Sequence, residues 1–87
     1  MRADQKDALN RLASIEGHLK GIRKMVEDDA YCVDILKQTY AVQRAIDKLD
    51  EMLLKGHLNH CVPEGMAEGR ADQVVSELEE LFALAKR

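Results

Sequence analysis

This chain has no tryptophan, one proline and only three aromatic residues, Tyr31, Tyr40 and Phe82, among its 87. Without aromatic bulk a core must come from Leu, Ile, Val, Ala and Met. In so short a chain it stays thin. An elongated helical protomer of this kind needs an oligomer to bury its apolar faces. The single proline, Pro63, leaves long stretches with nothing to break a helix. Apolar runs are short and interrupted by charge, so neither a membrane span nor a secretory signal is visible. A cytosolic location is therefore the expectation. There the two cysteines, Cys32 and Cys61, favour reactive or metal-binding thiols over a structural disulfide. No nucleophile–base pair or cofactor loop is visible, which argues against an enzyme.

The net charge of −3 hides an asymmetry. Residues 1–27 hold six Lys/Arg against four Asp/Glu, residues 28–61 four against six, and residues 62–87 three against six. The acidic total argues against a nucleic-acid partner, whereas the basic first segment keeps one open.

The chain reads as one all-α domain over residues 1–87, with three helices. Leu12, Ile15, Leu19, Ile22 and Val26 recur at spacings of three and four and define the first apolar stripe. Asp28-Asp29 interrupts it and is suited to cap a new start. From about Ala30 the period resumes through Ile35, Val42, Ile46, Leu49 and Leu53 to His57 and Cys61. Val62-Pro63-Glu64-Gly65 is expected to end this second helix. A third begins near Arg70 and carries Val74, Leu78, Leu81, Leu84 and Ala85. No strand pattern or repeat competes. In helix 1, Asn10, Ser14, Gly17 and Gly21 lie together beside the stripe. Two helical glycines one turn apart suggest close approach by another backbone, either of a helix or of a nucleic acid.

The segment GHLNHCVPEG concentrates two histidines and a cysteine before the proline. On a regular helix at about 100° per residue, with Cys32 at zero, His57 falls near −20° and Cys61 near +20°. The three share a face, and His57 and Cys61, one turn apart, can hold one ion. Cys32 lies about 37 Å from His57 along that helix and cannot join them within its own chain. Two copies packed antiparallel about a two-fold axis near Arg44 to Ile46 remove the conflict, and the site then forms twice. Two sulfurs and one nitrogen suit Cu(I), and with a fourth ligand Zn(II). His60 points aside, near −80°, and no fourth ligand is evident, which favours three-coordinate Cu(I). Each residue also has an ordinary reading: a helical cysteine as a small hydrophobe, a histidine facing the helix dipole.

The text NRLASIEGHLKGIRKMVEDDAYCVDILKQTYAVQRAIDKL, followed by HLNHCV, resembles the CsoR-type family of bacterial metal-sensing repressors over roughly residues 8–82. That resemblance implies three helices, an antiparallel helix 2 dimer and a dimer-of-dimers tetramer with no helix-turn-helix. It implies that the apo form binds operator DNA and that inducer weakens the complex. It assigns Cys32, His57 and Cys61 as copper ligands, Cys32 coming from the opposite protomer. It adds Tyr31 and Glu77 as a hydrogen-bonded network around the ligand histidine, whose free nitrogen needs a partner to fix the tautomer.

Relatives that sense nickel or cobalt carry an added N-terminal histidine, and several replace the last cysteine. Persulfide sensors lack the histidine. The chain matches the copper branch, as a repressor that Cu(I) lifts from copper-export genes. Sulfide or persulfide sensing through Cys32 and Cys61, or sensing of nickel or zinc, is the alternative. Without a recognition helix, DNA contacts fall mainly on phosphate and shape. The candidates are Arg11, Lys20, Arg23, Lys24, Arg44 and Lys48, of which Arg11 and Lys48 match DNA-linked basic positions of the family. No membrane or small-molecule substrate is expected.

Overall fold

The computed structural model describes residues 4–86. Helix α1 spans Gln5–Glu27 and opens on an N-cap, the Asp4 carboxylate accepting from the Asp7 amide at 3.1 Å. Asp7 in its first turn and Lys24 in its last complement the helix dipole. The helix closes on a residue in the left-handed region, Asp29, at φ 56°. The Ala30 amide donates to the Met25 carbonyl and the Asp29 amide to the Val26 carbonyl, so two orphan carbonyls are satisfied. Asp28-Asp29 thus ends α1 and does not cap its successor. The cap of α2 is Tyr31, which makes no side-chain capping bond, and Cys32 is the first helical residue.

Helix α2 spans Cys32–Gly56 and folds back along α1. The heptad-spaced Ala8 and Ile15 of α1 meet Val42 and Leu49 of α2, and these four form the buried core. Ile22, Ala45, Met52 and Leu53 pack around them, half-buried. Each fully buried aliphatic side chain contributes about 1.5–3 kcal/mol. The His18 ring bonds the Gln38 side chain across the two helices at 2.6 Å.

The second helix does not stop at Pro63. His57–Cys61 forms a π-turn, and α3, Val62–Ala67, continues directly from it. The Val62 amide donates to the His57 carbonyl, five residues back. Pro63 sits in the first turn of α3, immediately after the π-turn and within the continuous helical run. The widened turn before it relieves the clash between the ring and the preceding turn. The stop comes four residues later. Gly69 adopts φ +77°, the Arg70 amide donates to the Gly65 carbonyl at 2.8 Å, and α4 runs Ala71–Ala85.

Gly65 is buried because α4 passes over it: a Cβ there would collide with the Cγ2 of Val74, which is itself 3% exposed. Gly17 and Gly21, by contrast, have nothing within 4 Å of an added Cβ, so close approach at that pair does not come from this protomer.

The result is flat and long, 55 × 29 × 14 Å, with a radius of gyration of 17.3 Å. A compact chain of this length has about 12 Å. Much of the apolar stripe of α1 is open, with Leu19 49% and Val26 59% exposed, and α4 exposes Phe82 (68%) and Leu84 (61%). Among the described residues no helix is long and apolar enough to cross a membrane.

Candidate metal centre

His57 and Cys61 are the first and last residues of the π-turn. Their spacing was reckoned above on a regular helix, and the π-turn corrects it. An α-helix overshoots a full turn by about 40° in four residues. A π-turn, which spends one more residue on the turn, carries the fourth residue short of a full turn instead. The two side chains stay neighbours across one turn, with no gain in alignment. Both are partly buried, whereas His60, between them, is exposed.

His57 lies at the edge of a groove of about 660 Å³ between α2 and α4, lined also by Asp47, Asp50, Glu51, Leu53, Leu54, Leu81, Leu84 and Ala85. Its Nε2 is buried and has no hydrogen-bond partner. A buried ring nitrogen in that condition is costly, and native structures seldom leave one so. It needs a hydrogen-bond partner or a metal ion.

Cys32 and Cys61 are both free thiols, Cys32 exposed at the start of α2. With α2 unbroken from Cys32 to Gly56, about 37 Å of helix separates Cys32 from His57. Accordingly, no three His, Cys, Asp or Glu side chains of the described residues converge as a metal-holding group. One protomer places His57 and Cys61 together at one end of α2 and a single exposed thiol at the other.

Tyr31, 69% exposed, neighbours that thiol. Glu77 stands one turn before Leu81 on α4, on the face that borders the groove. Among the described residues no hydrogen bond joins Tyr31, Glu77 and His57 within the protomer, since Tyr31 lies at the far end of α2.

The six basic candidates divide in two. Arg11 pairs with Asp7 at 3.2 Å, Arg23 with Glu27 at 3.0 Å and Lys24 with Asp28 at 3.3 Å, each along one helix face. Lys20, Arg44 and Lys48 are exposed and make no ion pair among the described residues. The π-turn and the His18–Gln38 bond were not foreseen. The signal for the π-turn was a proline inside a stretch whose helical pattern does not otherwise break.

The metal-sensitive transcriptional repressor family matches residues 4–86. The copper-sensing transcriptional repressor CsoR of Bacillus subtilis is 47% identical over 79 residues, 90% of this chain and 78% of that protein. CsoR of Mycobacterium tuberculosis is 40% identical over 78 residues, 90% of this chain and 66% of that protein, so the chain spans just under two thirds of the mycobacterial relative. The crystal structure of the copper-sensing repressor CsoR with Cu(I) from Geobacillus thermodenitrificans superposes with a TM-score of 0.89 at 39% identity, over 94% of this chain and 85% of that one. The nickel-responsive transcriptional regulator InrS gives 0.77 at 34% identity, over 95% and 93%. The fold and these likenesses agree, and the chain belongs to the metal-sensitive transcriptional repressor family.

Proposed function

We propose that this chain is a cytoplasmic, Cu(I)-responsive transcriptional repressor, whose apo form holds operator DNA and releases it when Cu(I) joins two protomers. The observation that carries this reading is the buried, unpartnered Nε2 of His57, a residue one π-turn from Cys61 that lines the groove. A soft set of two thiolates and one imidazole suits Cu(I).

The third ligand is the partner's Cys32. With the two α2 helices antiparallel about the Arg44–Ile46 region, Leu53 and Leu54 lie opposite the partner's Leu36 and Ile35, and His57 opposite the partner's Cys32. The groove beside His57 is where the start of the partner's α2 enters. The exposed apolar faces, the excess radius of gyration and the incomplete half-site all support such a dimer, and the open ridges of α1 and α4 support its pairing into a tetramer.

Cu(I) when bound supplies a soft Lewis acid that holds the two subunits in one register. Glu77, on the groove face of α4, accepts from the histidine nitrogen that is not on the metal, directly or through the partner's Tyr31. That bond carries the change at His57 into α4. DNA must then weaken copper binding by the factor by which copper weakens DNA binding.

The contact surface for DNA draws on Arg11, Lys20, Arg23, Lys24, Arg44 and Lys48. The exposed Cys32 and the half-buried Cys61, both free thiols, also leave persulfide linkage of Cys32 to the partner's Cys61 as a second reading. Mobility-shift titration on the chain's own promoter with Cu(I), Ni(II), Zn(II) and polysulfide separates these. Release by Cu(I), lost in His57→Ala while apo binding persists, is the expected result. Release by polysulfide alone, or full Cu(I) release of His57→Ala, refutes it.

A further inference from the structure

The outward face of α2 carries a second periodic row. Leu36, Tyr40, Gln43, Asp47, Asp50 and Leu54 recur at alternating spacings of four and three. Taking Cys32 as zero and 100° per residue, they fall between about 0° and 80°. The buried face of the helix, Val42 and Leu49, lies near 280° and 260°. All six residues of the row are exposed, and Asp47, Asp50 and Leu54 line the groove beside His57. Arg44 and Glu51, near 120° and 100°, stand at its margin. Such spacing belongs to a helix seated along another helix, where the row is ordinarily apolar. Here only the two ends are apolar. The middle four are a phenol, an amide and two carboxylates. Among the described residues none of these four side chains has a hydrogen-bond or ion-pair partner.

In chain order the four read as two donors, then two acceptors. The Tyr40 hydroxyl and the Gln43 amide can donate, and the Asp47 and Asp50 carboxylates accept. When two such rows run antiparallel, the donors of one meet the acceptors of the other. In the register that sets His57 opposite the partner's Cys32, Asp50 comes within about 1.5 Å of level with the partner's Tyr40, and Asp47 likewise with the partner's Gln43. Two-fold symmetry makes each pair twice.

Other alignments lack that match. Parallel helices set Asp47, Asp50 and the marginal Glu51 each against its own copy. An antiparallel slip of one heptad in one direction sets Asp47 against the partner's Asp50. The same slip in the other direction sets Tyr40 against the partner's Gln43, and leaves Asp47 and Asp50 facing the partner's Leu36 and the partner's Val33. Like charges face to face, or carboxylates against apolar side chains, are costly.

We propose that Tyr40, Gln43, Asp47 and Asp50 form a register lock, which accepts a second copy of this chain in one alignment only. The lock rests on the repressor reading above, which needs the partner's Cys32 at His57. A slip of one heptad would carry that thiol about 10 Å away, beyond the reach of a shared ion. The four are positioning residues for the metal centre, and they trade some affinity for specificity.

The test is a charge swap read between chains. Positions 40 and 50 are about 15 Å apart along one helix, so coupling between them passes from chain to chain. Assembly of the copper-free full chain is measured by sedimentation equilibrium. Register is measured by linking Cys32 to Cys61 with a short bismaleimide and mapping the joined peptides. Tyr40→Asp is expected to weaken assembly at least about tenfold, because a carboxylate then faces the partner's Asp50 in two places. Tyr40→Lys also removes the ring but faces Asp50 with a cation, and is expected to lose no more than about threefold. Tyr40→Asp/Asp50→Lys is expected to return to within about threefold of the parent, with the Cys32–Cys61 link restored.

An undiminished Tyr40→Asp, equal losses in Tyr40→Asp and Tyr40→Lys, or a double variant as weak as Tyr40→Asp overturns the lock. A wild type that still links Cys32 to Cys61 then leaves the shared metal site standing. If circular dichroism shows Tyr40→Asp unfolded, recovery of the double variant supports the lock and its failure overturns it. A monomeric wild type, or one that gives no Cys32–Cys61 link, defeats the antiparallel dimer and the lock together.

Discussion

Gly65→Ala tests how α4 is held. The glycine is in α3 with an ordinary helical backbone, so alanine by itself would favour the helix by about 1 kcal/mol. The added methyl, however, meets the Cγ2 of Val74, one of the least exposed side chains of the fold. Overpacking of this kind costs about 1–3 kcal/mol. The net expectation is a loss of about 1 kcal/mol, or a fall of about 0.5 M in the urea midpoint for a slope near 2 kcal/mol per molar. Val74→Ala removes two buried methyl groups, at about 0.8 kcal/mol each before any cavity cost, so it should lose about 2 kcal/mol.

The double variant then decides the matter. With the collision gone, the alanine at position 65 keeps its helical advantage. Gly65→Ala/Val74→Ala should be no less stable than Val74→Ala alone, a coupling of about 1–2 kcal/mol relative to additivity. The assay is urea denaturation followed by circular dichroism at one fixed protein concentration, since assembly makes stability depend on it. If Gly65→Ala matches or exceeds the parent, or if the two losses simply add, the glycine is not there to admit α4.

Gly17→Ala and Gly21→Ala face open space in the protomer, and each should stabilise α1 by about 1 kcal/mol in the same assay. A loss would reveal a second chain packed on that stripe. Asp29→Val places a β-branched residue at φ 56° and should lower stability by about 1–2 kcal/mol, read as a lower melting temperature. His18→Ala removes the α1–α2 side-chain bond and should cost about 1 kcal/mol, with Gln38→Ala adding little more in the double variant.

The helices were legible because their apolar spacing is regular and only Pro63 interrupts it. The hairpin core of Ala8, Ile15, Val42 and Leu49 follows from that spacing. Leu12, Leu19 and Val26 belong to the same stripe yet are exposed, because a stripe records every face that packs, including those that need another chain. The placing of His57 and Cys61 one turn apart was legible from their spacing of four residues. The π-turn that joins them was not, because the arithmetic of 100° per residue assumes the α-helix throughout. The end of the second helix was misplaced for a related reason: proline was read as a stop, although the π-turn before it lets the helical run continue. Asp28-Asp29 was misread because aspartate both caps helix starts and tolerates the left-handed region that closes them. Which cations are free was also beyond the sequence, since i,i+4 pairing depends on rotamers.

The π-turn is a slip of one residue in helical phase. Everything after Cys61 lies about 100° round the axis from where an unbroken α-helix would carry it. Rewound to α-geometry, the chain would bring Glu64 to the azimuth that Gly65 now holds, and a carboxylate-bearing side chain would be driven at Val74. Helix α4 could not keep its seat. The winding of five residues, two of them the candidate ligands, thus works as a gear that sets the bearing of the whole C-terminal helix.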